Sequence, residues 1–390
     1  MTTVDATGTV FVPAPAVQRV EATSRRVQQP SSTSDLVSLA VSEPDFDTPQ
    51  PIVDAAHAAA ARGRTHYAPM AGDSALRDRL AAEIAKLRGQ HTDASDILVT
   101  QGGTAGLSAA ILATIGPGDR VVIPDPTYSL YADLVSLAGG EAVHVPLAED
   151  LHWNLGALRD ALPGARMFVF CNPGNPTGIV HSREEIEALA GMLEGTDTIV
   201  LADEAYAALS FTDAPFTSAL EVPALDGRTI YCQTFSKNYA MTGWRVGYLW
   251  GPTPIIEAAT RVHGTFNGSL NTFVQDAAIV ALDQCAADID RMRASYLRRR
   301  EIMREALAAV PGLDLSEPEG AFYFFPRYDA PLSSIEMVAF LRENGVAVRP
   351  GSEFGPSGEG RIRLSYAASD EAIITGVARM ADAMRALRSS

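Results

Sequence analysis

An alternation in the middle of the chain constrains its fold more than any other feature. Short apolar runs at Ile97–Thr100, Val121–Ile123, Met167–Phe170, Ile199–Ala202, Ile230–Phe235 and Val246–Trp250 read as strands. Amphipathic stretches at Thr104–Ile115, Ser129–Ala138 and Arg183–Glu194 read as helices between them. A strand joined to a parallel neighbour needs a crossover, and a helix is the usual one. The pattern therefore predicts an α/β domain with a mostly parallel central sheet and helices on both faces. Met167–Phe170 is apolar at every position, as expected of a strand covered on both sides.

Beyond residue 287 the texture changes. Asp288–Ala309 reads as one long Arg-rich helix, and Gly320–Pro326 (GAFYFFP) as an aromatic strand. A helix over Ser334–Asn344, strands near Val346–Arg349 and Arg361–Tyr366, and a closing helix over Asp370–Leu387 complete a smaller α+β unit. The expected division is an N-terminal arm, 1–45, joining that small unit; a large ligand-binding domain, 46–287; and a small C-terminal domain, 288–390. Within the arm a helix is expected near Pro15–Gln28. Its basic pair, Arg25–Arg26, reads as solvated surface rather than a binding patch.

Charge and cysteine usage exclude some functions. The chain has 47 acidic and 31 basic side chains, a formal net charge of −16. Nucleic acid or an anionic membrane calls for clustered Lys and Arg, so neither is an expected partner. No apolar run approaches the roughly 18 residues of a membrane span. The start, MTTVDATGTVFVPAPAVQRV, lacks the pattern of a secretory signal. Cys171, Cys232 and Cys285 show no CxxC spacing, which argues against a disulfide framework or a zinc site. The expectation is no metal and a cytoplasmic home.

In open α/β sheets ligands bind beyond the carboxyl ends of the strands, so the residues just past each strand carry most of the information. Past Thr100 comes QGGTAG (101–106), opening a helix. Its glycines and free N–H groups suit an anion, although plain Gly-rich turns look the same. Past Phe170 comes NPGNPTG (172–178), a stiff turn in which Asn175 presents an amide either to a ligand or to local backbone. ADEAY (202–206) ends a buried strand with Asp203, whose carboxylate needs a partner. That partner is a basic side chain of the fold or a protonated ring nitrogen. Thr234, Ser236 and Arg245, in TFSKNYAMTGWRVGY (234–248), make a plausible phosphate cradle around Lys237. A lysine in a semi-buried cationic site has a lowered pKa and becomes nucleophilic toward an aldehyde. In RPGSEFG…GRIRLSYA (349–367), Arg363 alternates with Ile362 and Leu364 on an apolar strand with little other charge nearby. It can hold a carboxylate or form a core-edge ion pair.

SEPDFDTP (42–49), HYAPMAG (66–72), NPTG, ADEAY, SKNYAMTGWRVGY and RIRLSYA occur in the order seen in class I/II aminotransferases. From about residue 36 to the C-terminus the chain resembles that family, which has the pyridoxal-phosphate (PLP) fold type I of aspartate aminotransferase. The resemblance implies a homodimer with shared active sites that uses pyridoxal 5'-phosphate. An amino group would move between an L-amino acid and a 2-oxo acid through a Schiff base on Lys237 and a pyridoxamine-phosphate form. It implies that Asp203 pairs with the ring nitrogen, that Tyr206 and Asn175 meet the ring hydroxyl, and that Tyr128 stacks on the ring. Gly103, Thr104 and Ala105 would bind phosphate with Thr234, Ser236 and Arg245, and Tyr67 would reach the phosphate of the neighbouring subunit. Asn175 and Arg363 would hold the substrate carboxylate.

Two departures bear on substrate. Ser42 stands where the family usually has glycine, beside the substrate carboxylate. Thr104 stands where some aspartate-specific relatives carry a lysine, and GTFNGS (264–269) lacks the arginine found in others. Arg261 and His263 lie close by in sequence but are expected to pack on a helix surface. The alternatives to transamination are another PLP reaction on the same scaffold, such as an elimination, a cyclisation or an oxidase-like step, and a non-catalytic sensor built on it.

Overall fold

The apolar runs pair into one seven-stranded sheet in the computed structural model, which describes residues 3–4, 10–27 and 35–389. From one edge to the other the strands are Ile97–Thr100, Gly247–Trp250, Thr229–Thr234, Ile199–Asp203, Met167–Cys171, Arg120–Asp125 and Glu141–Pro146. Gly247–Trp250 alone runs against the others. Every residue of Met167–Cys171 and Ile199–Asp203 is buried, because helices cover both faces. One layer of core lies around Leu98, Leu107, Ile123, Val169, Leu201 and Leu249, and a second around Phe168, Phe170, Val200, Ile186 and Leu189 on the opposite face.

The edge strand Glu141–Pro146 goes unnoticed in the sequence because it is only half covered and mixes Glu141 and His144 with valines. The GAFYFFP segment differs from expectation in the other direction: its strand is confined to Tyr323–Phe324, with Gly320 making an isolated bridge to Ser210. Ala321 just before it takes a left-handed φ of 56°. Pro326 just after it has no N–H to give to a ladder. Tyr323–Phe324 pairs with Ile362–Ser365, which also pairs with Arg349–Pro350. The long helix Ala286–Ala308 packs along the closing helix Asp370–Ser389.

The arm serves both units rather than the small one alone. Val37–Ser38 adds a parallel strand to Val346–Ala347. The helix Pro15–Thr23, shorter than expected, lies instead on Leu130–Ala138 of the large unit, and Gln28 falls outside the described residues. Arg19 donates to the carbonyls of Ser136 (3.0 Å) and Leu137 (3.3 Å). The hydroxyls of Thr23 and Ser136 meet at 2.8 Å, and Ser24 donates to Asp133 at 3.1 Å.

A polar clip joins the loop 172–181 to residues near 319. His152 Nδ1 lies 3.0 Å from Glu185, and its Nε2 lies 3.6 Å from Glu319. Glu319 also accepts from Val180 N at 2.9 Å, while Glu185 caps its own helix through Ser182. The two carboxylates raise the His152 pKa to about 10, and Glu185 is held well below the usual carboxylate range. The contribution of His152 is therefore full below its unfolded pKa near 6.5 and is lost as pH rises through about 10. That of Glu185 is present above its ordinary value and is lost in acid. His152→Ala should cost roughly 2 kcal/mol near pH 6. Thermal melts should show the deficit against the parent shrinking above pH 10; a deficit that stays constant across that range would refute the account.

Candidate active site

The carboxyl ends of Ile97–Thr100, Arg120–Asp125, Met167–Cys171, Ile199–Asp203 and Thr229–Thr234 open onto one cavity of about 440 Å³. Around it lie Ser42, Gly103, Thr104, Tyr128, Asn175, Asp203, Tyr206, Thr234, Ser236, Lys237, Arg245 and Arg363. Of the residues that the resemblance assigns to cofactor or substrate, Ala105 and Tyr67 lie elsewhere. Ala105 faces an adjoining hollow with Gln101 and Phe266, and Tyr67 stands 98% exposed beside Ser269 and Leu270.

Each side chain is placed by the strand that precedes it. Asp203 ends a fully buried strand, and its carboxylate accepts from the Tyr131 hydroxyl at 2.7 Å and from Ala205 N at 3.2 Å. Burial outweighs those donors and lifts its pKa to about 6. Thr234 ends the next strand and caps the short helix Phe235–Asn238 by accepting from Ser236 N. That cap aims Lys237 into the cavity, where its amine donates to the carbonyl of Ser42. Burial, with Arg363 and Arg245 adding to it against the pull of Glu43 and Asp203, brings the lysine down to about 8.

Arg363 comes from the small unit and is buried. It donates to Asn175 Oδ1 and to the Ala40 carbonyl, both at 2.9 Å, and stacks over Tyr323 at 4.4 Å. Its Nε has no partner among the described residues. Sequence reasoning had it in a region of little charge. In the structure Arg349 lies directly across the strand pair and is ion-paired with the buried Glu353. Tyr206 meets the hydroxyl of Tyr323 at 2.7 Å.

At the opposite end, the helix Gly102–Thr114 turns its first N–H groups toward the cavity, next to Thr234 and Ser236. Arg245 holds a left-handed φ of 55° and donates to the Thr242 carbonyl at 2.8 Å. Gly102 is required there: its φ is +78°, and an added Cβ would lie 2.5 Å from the Arg245 guanidinium. Strained backbone of this kind tends to persist where surrounding structure holds it for function.

Sequence reasoning missed several residues. Tyr131, Tyr323, Arg349 and Glu353 lie inside segments that the sequence singled out for other residues: PDPTYSLY (124–131), GAFYFFP (320–326) and RPGSEFG (349–355). Arg25 and Arg26 are both exposed, as expected, but Arg26 also lies at the rim of the cavity. His263 is not on a helix surface; it is buried and accepts from Gln101 N at 3.1 Å, supporting the phosphate-type turn. Arg261 does lie on the surface, 3.7 Å from Glu257.

Comparison with known proteins agrees with this geometry. The family described as aminotransferase class I and II matches residues 34–380. The chain belongs to that family. An aspartate aminotransferase of Pyrococcus horikoshii is 34% identical, covering 92% of this chain and 93% of its own. An arginine–pyruvate transaminase of Pseudomonas aeruginosa is also 34% identical, covering 89% of each. The crystal structure of an aromatic aminotransferase from P. horikoshii superposes with a TM-score of 0.89 at 35% identity, covering 96% of this chain and 100% of its own. The protein is a PLP-dependent aminotransferase of fold type I, acting on amino acids and 2-oxo acids. The elimination, cyclase and oxidase-like alternatives are not favoured by relatives named for transamination.

The residues of this aminotransferase suit the family's cofactor. A helix N-terminus, two hydroxyls and a guanidinium at one end match a phosphate. Asp203 at the other end matches a ring N–H⁺, since a nearby cation would return its raised pKa toward normal. Gly102→Ala should displace Arg245 and weaken cofactor retention roughly tenfold. Titrating the stripped protein with PLP measures this, and unchanged affinity would refute the placement of Arg245.

Proposed function

We propose that Lys237 is the catalytic centre of this aminotransferase and that the cavity around it binds cofactor and substrate in fixed places. The observation that carries the reading is a largely covered lysine with its pKa lowered to about 8, opening into the same cavity as Asp203 and Arg363. PLP when bound supplies an electron sink for the bonds at the substrate Cα. Asp203 would keep the ring nitrogen charged, Tyr206 and Asn175 would meet the ring hydroxyl, and Tyr128 would stack on the ring. Gly103, Thr104 and Ala105 offer backbone N–H groups to the phosphate, and Thr234, Ser236 and Arg245 add side chains. Arg363, with Asn175 and the Ser42 backbone, orients the α-carboxylate. Lys237, once its amine is free, would carry the proton between the substrate Cα and the cofactor C4′.

The division at 1–45, 46–287 and 288–390 belongs to the same proposal, since Arg363 and Lys237 then come from different domains. So does a homodimer: Tyr67 is nearly fully exposed, and in that assembly it would serve the phosphate of the other subunit. A cytoplasmic location follows from cysteine usage; among the described residues no helix is long and apolar enough to cross a membrane.

Four measurements test the reading. Mixing the holoenzyme with an amino acid alone should convert the bound cofactor from its aldehyde to its amine form, seen by absorbance. Lys237→Ala should slow that half-reaction by roughly 10²- to 10⁴-fold through loss of proton transfer. Capture of PLP by the stripped protein should accelerate as pH rises through about 8 and then level off, because the neutral amine is the nucleophile. A rate independent of pH from 7 to 9 would sink the assignment of Lys237. Sedimentation should give a dimer, and Tyr67→Phe should weaken PLP retention; a fully active monomer would contradict the shared site.

A further inference from the structure

We infer that Arg26, on the N-terminal arm, selects substrates whose side chain ends in a carboxylate. The inference rests on the reading just given and names the substrate class for the same cavity.

Among the described residues, the cavity is lined by five cationic side chains: Arg26, Lys237, Arg245, Arg349 and Arg363. Four are engaged by protein groups. Lys237 donates to Ser42, Arg245 to Thr242, and Arg363 to Asn175 and Ala40, while Arg349 is paired with Glu353. The Arg26 guanidinium makes no hydrogen bond or ion pair with another described residue. The nearest carboxylate it acts on, Asp133, is already held by Ser24 at 3.1 Å. Arg26 therefore faces the cavity with its donors free.

Its position is fixed rather than incidental. Arg19, Thr23 and Ser24 tie the arm along Leu130–Ala138, the helix that begins just after Tyr128. Two residues beyond Ser24, Arg26 arrives at the rim above Tyr128. The charge of Arg26 and the hydroxyl of Thr104 both act on the Tyr128 hydroxyl, so the three donors share one corner of the cavity. The acidic groups nearest that corner are engaged by protein groups: Asp133 accepts from Ser24, Asp203 from Tyr131 and Glu43 from Thr242, and Glu353 is paired with Arg349. Arg363 holds the α-carboxylate in the proposed orientation, leaving the substrate side chain to extend toward this rim. A second carboxylate there would accept charge-assisted hydrogen bonds from a guanidinium that has no competing partner.

The test uses the holoenzyme and isosteric pairs: glutamate against glutamine and aspartate against asparagine, in single-turnover half-reactions. The parent should prefer each acid over its amide by at least tenfold in kcat/KM. Arg26→Gln should reduce that preference on the order of ten- to a hundredfold, mainly through KM. Arg26→Lys should retain most of it, and Arg26→Glu should shift preference toward arginine or lysine. An acid-to-amide ratio in Arg26→Gln equal to the parent's would overturn the proposal. Binding of glutarate, read from perturbation of the cofactor band, gives an answer without turnover. It should weaken in Arg26→Gln by the same factor, whereas binding unaffected by the substitution would count against Arg26. If glutarate binds through Arg26 but no amino acid reacts, transamination fails and the subsite stands.

Discussion

Two ionisable groups of opposite charge are held inside one cavity without pairing, and the rest of the site is arranged around that fact. Burial pushes both toward neutrality: Asp203 rises to about 6 and Lys237 falls to about 8. At 1.36 kcal/mol per unit, each shift corresponds to roughly 3 kcal/mol of disfavoured charge. An ion pair between them would relieve the cost, but none forms among the described residues. Tyr131 and Ala205 N keep Asp203 pointed to one place, and the Ser42 carbonyl holds Lys237 at another. A ligand that brings a cation to the first and an aldehyde to the second relieves both at once.

The groups that hold a phosphate and those that hold a carboxylate come from different parts of the chain. The phosphate end belongs to the parallel sheet: a helix N-terminus, the Thr234 cap and the strained Arg245, held by a glycine that leaves it room. The carboxylate end depends on Arg363, carried on a strand of the smaller unit and bonded back to Asn175 of the large one. The Asp45–Arg299 pair, at 2.6 and 2.9 Å, fixes the loop bearing Ser42 to the long C-terminal-unit helix. Substrate orientation and the packing of the two units are thus the same problem. The His152 clip, which braces the loop carrying Asn175 against residues near 319, is part of its solution.

The arm adds a third contribution. Because Pro15–Thr23 lies on the helix following Tyr128, it places a side chain from the start of the sequence at the rim of a cavity otherwise lined by residues 40–43 and 103–363. Cofactor chemistry does not require that side chain, so it is free to vary with substrate. That is consistent with relatives named for aspartate, aromatic amino acids and arginine sharing one fold.

The sequence alone determined six of the seven strands of the sheet, the cofactor chemistry and most of the cavity wall. The reason is local: strands buried on both faces are continuous apolar runs, and the residues that act on a ligand follow them directly. Lys237, Asp203 and Asn175 could be found by reading past the end of a strand. Tertiary structure decided what depends on approach between distant segments. Tyr131 reaches Asp203 across 72 residues and Arg363 reaches Asn175 across 188, and no spacing pattern encodes either. Arg26 reads as surface because its neighbours in sequence are polar. Its place in the cavity follows only from how the arm docks, and docking is set by hydrogen bonds to a helix more than a hundred residues away.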